Sequence, residues 1–201
     1  MTAASSSSRQ RGRPPVIDRT TVVQGALAVL ERVGVDGLTM KALAEELAVT
    51  PMAAYRYVAS KQALLELVVH DVLARTPVPA EGSWDERLWG LMWASFAEVS
   101  RYPGLADYVH RVEITQSGRE IMAAGAQLLR ESGMTDDEAR IAFSDIYAYM
   151  MGRLVLRSRS LDRPAPRRRG RGPVPSLAEL GSDEHVRHGF RALVAGLTPR
   201  T

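Results

Sequence analysis

The stretch 38–61, LTMKALAEELAVTPMAAYRYVASK, constrains this chain more than any other. Thr39 is placed to cap a helix whose apolar face is Leu43, Ala44 and Leu47. Ala48 and Val49 leave room only for a tight turn. Thr50 then caps a second helix, with Pro51 at its first position, where a missing N–H costs nothing. That helix, MAAYRYV, gives Val58 to the core and leaves Met52, Ala53 and Arg56 on other faces. Ser60 caps a third helix that begins at Lys61. Two short helices around a tight turn form a helix-turn-helix, whose second helix enters the major groove of DNA.

The pattern T-x-K-x-L-A-x-x-L-x-V-T-P-x-x-x-Y-R-Y-V-x-S-K resembles the DNA-binding domain of the TetR family of bacterial repressors, and the motif-level likeness covers residues 17–73. Three positions depart from the family pattern. Ala48 stands where Gly is common, Ala54 replaces a bulkier apolar residue, and Tyr57 stands where His is frequent. A left-handed backbone at position 48 makes Ala mildly unfavourable, and Tyr57 still offers a hydroxyl to a phosphate. The resemblance implies that MAAYRYV is the recognition helix. It places Thr39, Tyr55, Tyr57 and Lys61 at phosphates, and Lys41, Pro51, Met52, Ala53 and Arg56 at base edges, with Thr50 capping the helix that carries them. The chemistry agrees: helix N-termini, phenols and an ammonium suit phosphates, while Arg56 is able to read guanine bidentately and Met52 and Ala53 suit thymine methyls.

The remaining chain predicts an all-α protein of about nine helices, since no run alternates with period two. A helix from Asp18 to Val33 lines Val22, Val23, Ala26, Leu27, Leu30 and Val33 along one face and stops at Gly34. The helix from Ser60 to Arg75 repeats Leu64, Leu65, Val68, Val69, Val72 and Leu73, and is long enough to reach two domains. Capping boxes at Ser83–Glu86 and Thr135–Glu138 open two more helices, the first (84–100) apolar nearly all round, the second running to Arg157. Between them lie helices at 105–111 and 117–131; the last helix spans 182–197, and a short one from Ser176 is possible. The domains read as 1–15, a disordered basic arm; 16–62, the helix-turn-helix domain; and 63–201, an effector-binding and dimerisation domain with a disordered Arg/Pro-rich loop at 158–175.

Charge is unevenly placed. The net charge is +3, yet Arg9, Arg11 and Arg13 in the arm and seven arginines against Asp162 in 157–171 exceed it, so the body is acidic. A protein that coats nucleic acid with its whole surface is excluded, and a constitutive architectural DNA binder remains the rival reading. The RGRP sequence of the arm resembles an AT-hook, which would lay Arg11 and Arg13 in a minor groove. Cysteine is absent, which rules out disulfides and thiolate metal sites. With no membrane-length apolar run and no signal peptide, the expected compartment is the cytoplasm.

By the same resemblance, the second domain holds an apolar or aromatic small-molecule effector. Trp89, Trp93, Phe96, Met122, Phe143, Tyr147, Met150 and Met151 are its candidate lining, with His110, Gln127, Tyr147 and Arg153 as polar anchors. A palindromic operator of double-stranded DNA and a homodimer built on helices 136–157 and 182–197 follow from the resemblance and from the small interface that one helix-turn-helix makes. No catalytic constellation is legible. His185 and His188 are spaced i, i+3, but no carboxylate or Cys completes a metal site. No cofactor is expected.

Overall fold

A computed structural model describes residues 17–161 and 176–197. Its helices are α1 Arg19–Gly37, α2 Met40–Glu46, α3 Pro51–Ala54, α4 Lys61–Ala74, α5 Trp84–Ser100, α6 Leu105–Arg111, α7 Gln116–Glu131, α8 Asp136–Leu161, α9 Leu177–Leu180 and α10 Asp183–Leu197. The described residues hold no strand. Ten segments result when α9, a single turn, is counted.

Local chemistry sets the helix starts. Asp18 accepts from the Thr21 amide at 2.7 Å, Thr39 from Ala42 at 3.0 Å, Thr50 from Ala53 at 3.2 Å and Ser60 from Ala63 at 3.1 Å. Glu86 accepts from the Ser83 amide at 3.0 Å and Glu138 from the Thr135 amide at 2.8 Å, as capping boxes require. Ser176 and Glu179 form a third box, which opens α9.

Four boundaries and faces differ from the sequence reading. The helix expected over MAAYRYV is helical only to Ala54. Beyond it the ladder shifts to the third residue back, Arg56 to Ala53 and Tyr57 to Ala54, as the chain turns towards α4. The helix expected over 136–157 continues to Leu161, so residues 158–161 are helix, and the rest of the Arg/Pro-rich segment lies outside the described residues. Gly34 has the left-handed φ of 67° that ends a helix, but the chain makes a further turn to Gly37. Val33 is exposed rather than buried, lying against that added turn at Gly37.

The core is continuous. α4 packs on α1, α5 and α7, so it belongs to the N-terminal bundle and to the helical body alike. α8 packs on α5, α6, α7, α9 and α10. The two parts also meet where the Val35 amide donates to the Pro103 carbonyl at 2.9 Å. Gly34 permits that approach: a Cβ there would stand 2.9 Å from the same carbonyl oxygen. Between α4 and α7 the buried Ser117 hydroxyl lies 2.8 Å from His70 Nδ1.

Candidate nucleic-acid interface and ligand cavity

The α2–α3 unit has a packed back and an open front. Leu43, Ala44, Ala54 and Val58 are buried. Ala54 is fully enclosed, so its small side chain lets α3 lie close on α2. Gly25 does the same for α1: a Cβ there would meet Leu47 at 2.8 Å. Arg32 pairs with Glu46 at 2.8 Å and ties α1 to α2 from outside. On the front, Met52 is 77% exposed, Tyr55 51% and Tyr57 46%. Thr39, Lys41, Thr50, Pro51 and Arg56 are exposed beside them, and Ala53 is half-buried. Arg56 has no ion-pair partner among the described residues, whereas Lys41 lies 3.8 Å from Glu45. Lys61 is half-buried, and its Nζ reaches the Asp36 carbonyl at 3.4 Å. The front thus collects three capped helix starts, two phenols and three cations. Arg11 and Arg13 lie outside the described residues.

Ala48, in the turn between α2 and α3, is the only non-glycine residue with positive φ among the described residues, at 53°. Its side chain is exposed.

The second feature is an apolar cavity of about 80 Å³ between α4, α5, α7 and α8. Phe96, Met122, Tyr147, Met150 and Met151 line it, as the sequence reading has them. Six other candidates do not. Trp89 and Trp93 stack on each other at 5.2 Å; Trp89 meets Phe190 of α10 edge-on at 5.1 Å, and Trp93 stacks on Phe96 at 5.1 Å. Arg187 and Arg157 sit over these rings. Phe143 is buried in the α7–α8 seam against Gly125, where a Cβ would stand 2.0 Å from its ring. His110 is exposed, and Gln127, also exposed, accepts from the Arg130 guanidinium at 2.6 Å. Arg153 lies over Tyr149 and donates to the Leu180 carbonyl at 2.8 Å, away from the cavity. The sequence reading missed Val69 and Leu73 of α4, Met92 of α5 and Ile121 of α7. Their only signal was helical periodicity, which marks core and cavity lining alike.

The segment 112–115 between α6 and α7 is a shared wall, with the cavity on one side and an open polar groove on the other. Arg119 holds it by donating to the Ile114 carbonyl at 2.7 Å. Burial raises the Tyr147 hydroxyl above the ordinary tyrosine pKa. Among the described residues no cluster of three His, Asp or Glu forms a metal site, and His185 Nδ1 lies 3.0 Å from the Ser182 hydroxyl.

A family model described as bacterial regulatory proteins, tetR family, matches residues 22–68, and one described as tetracyclin repressor-like, C-terminal domain, matches 76–198. The chain belongs to the TetR family. It is 31% identical over 201 residues, covering 90% of each chain, to the tetracycline repressor protein class A from transposon 1721 of Escherichia coli. It is 30% identical over 181 residues to the HTH-type transcriptional repressor DrrR1 of Streptomyces coeruleorubidus, covering 85% of itself but 66% of that relative's length. Among solved structures, a possible TetR family transcriptional regulator from Streptomyces coelicolor A3(2) superposes with a TM-score of 0.72 at 28% identity, over 90% of this chain and 98% of that one. BioQ bound to its double-stranded DNA operator superposes with a TM-score of 0.67 at 25% identity, over 92% and 99%. The relatives it matches are transcriptional regulators, and no helix among its described residues is long and apolar enough to cross a membrane.

Proposed function

We infer that this TetR-family chain is a ligand-responsive transcriptional repressor that binds a palindromic double-stranded operator as a homodimer and is released by a small, largely apolar effector. One observation carries the reading: Met52, Tyr55 and Tyr57 stand exposed on a capped helix-turn whose back is fully packed. Folding alone does not favour displaying such side chains together, whereas a groove with phosphates at its edges does. The operator complex of BioQ supports the same use of the fold.

Dimerisation supplies the second half-site. The face of α8 turned from the core carries Ser144, Ala148 and Gly152 at four-residue spacing, and α10 exposes Ala192 and Gly196. Small residues let helices of two copies approach as a four-helix bundle.

The cavity connects to that surface through α4, which contributes Val69 and Leu73 to the lining and Ser60 and Lys61 to the DNA-facing side. At about 80 Å³ it is smaller than the roughly 300–1,000 Å³ of sites for drug-sized ligands. An effector therefore widens it and displaces α4 relative to α7. It releases DNA to the extent that it binds the widened state better. Met92, Met122, Met150 and Met151 are adaptable enough to allow this.

The test is footprinting on fragments selected from random DNA. The reading requires one palindromic footprint, and Arg56→Ala should relax the preference at one base pair per half-site, by about 1–3 kcal/mol for a bidentate guanine contact. Uniform coating of DNA would instead establish the architectural reading. An equal loss of affinity for every sequence would assign Arg56 to a phosphate.

A further inference from the structure

Four polar side chains lie on the cavity wall, and two of them bond within the protein. Ser95 Oγ donates to the Leu91 carbonyl of its own helix at 2.9 Å. Thr115 Oγ1 accepts from the Gly118 amide at 3.2 Å as the cap of α7. Glu113, at the rim, is solvent-exposed. Tyr147 differs from all three. It is half-buried on α8, it lines the cavity, and among the described residues nothing hydrogen-bonds to its hydroxyl. A hydroxyl on an apolar cavity wall with no protein partner is left to bond water or a bound molecule.

We propose that Tyr147 is the polar anchor of the effector cavity, and that it selects a neutral planar aromatic molecule carrying a carbonyl oxygen. The proposal rests on the effector reading above and adds the chemistry of the ligand. Tyrosine at neutral pH is a donor, and burial strengthens that by disfavouring the phenolate. The partner it lacks is therefore an acceptor. Met150 and Met151 stand three and four residues further along α8, on the same side of the helix, and both line the cavity. Thioethers pack well on aromatic rings, so acceptor and ring lie along one helix face. Beyond Glu113, no ionisable side chain other than Tyr147 lines the cavity. A charged ligand head would thus be desolvated there without an inward counter-charge, which favours a neutral compound.

Fluorenone and fluorene test this, because they differ only in a carbonyl against a methylene. Each is titrated into the full-length chain by calorimetry, and the melting temperature is recorded alongside. The wild-type chain should bind fluorenone about tenfold more tightly than fluorene, the worth of one good hydrogen bond. Tyr147→Phe should abolish that preference without weakening fluorene binding or lowering the unliganded melting temperature. A merely structural tyrosine would instead lower both affinities together. Equal affinities in the wild-type chain, or a preference that survives Tyr147→Phe, overturn the anchor and leave the effector cavity standing. If neither compound binds the wild-type chain, the proposed ligand class is overturned, and the effector cavity is judged separately by whether any other apolar compound releases the operator.

Discussion

Ala48 offers a perturbation whose sign follows from two opposing effects. With φ at 53° it occupies the left-handed region, where a Cβ crowds the following carbonyl. That strain is about 1–2 kcal/mol for a non-glycine residue. Ala48→Gly relieves it, but glycine is freer in the unfolded chain, which opposes folding by about 0.4–1 kcal/mol. Because the Ala48 side chain is exposed, deleting its methyl loses no packing. The balance favours glycine by about 0.5 kcal/mol, or ~1–2 °C in melting temperature for a chain of this size. Ala48→Val moves the other way by about 1 kcal/mol or more, since a β-branched residue is worse in that region. Urea unfolding with an unchanged m value measures both. A glycine variant less stable than wild type, or a valine variant equal to it, would show that the turn does not hold this residue left-handed.

Three further outcomes are open to measurement. Lys61→Ala should shrink the slope of log operator affinity against log salt by about 1, and an unchanged slope would remove Lys61 from the phosphates. Gly125→Ala should lower stability by about 1–3 kcal/mol through overpacking, because the new Cβ falls 2.0 Å from the Phe143 ring; pairing it with Phe143→Leu should recover part of the loss in a thermal melt. The Asp18 and Glu138 carboxylates are held below their ordinary pKa by the Thr21 and Thr135 hydrogen bonds. The unfolded state therefore binds more protons, and their share of stability is present above about pH 4 and fades as pH falls towards the native values. Glu138→Gln should flatten that acid decline in urea midpoints.

The helix starts were legible because capping is local: Asp18, Thr39, Thr50, Ser60, Ser83 and Thr135 each act within three residues. The Ser176–Glu179 box had the same signature and was readable too. The helix ends were harder. Arginine is a good helix former, so the composition after Arg157 hid four more helical residues. At Tyr55–Tyr57 the sequence favours helix, but the need to turn into α4 wins. The cavity was least legible. A helix apolar nearly all round, as α5 is, gives no phase, so the sequence could not tell that Met92 and Phe96 face the void while Trp89 faces α10. A void is what packing leaves over, and only the assembled helices define it.

α4 has 14 residues, a rod about 21 Å long, with Lys61 at one end and Leu73 near the other. Under the proposed mechanism, its single position is read at both ends, and thermodynamic reciprocity follows. Whatever factor the effector removes from operator affinity, the operator removes from effector affinity. DNA is thus itself an antagonist of the small molecule, and a chain seated on its operator is less sensitive to the effector than a free one. Weakening a contact at Lys61 would sharpen the response to the ligand without altering one atom of the cavity.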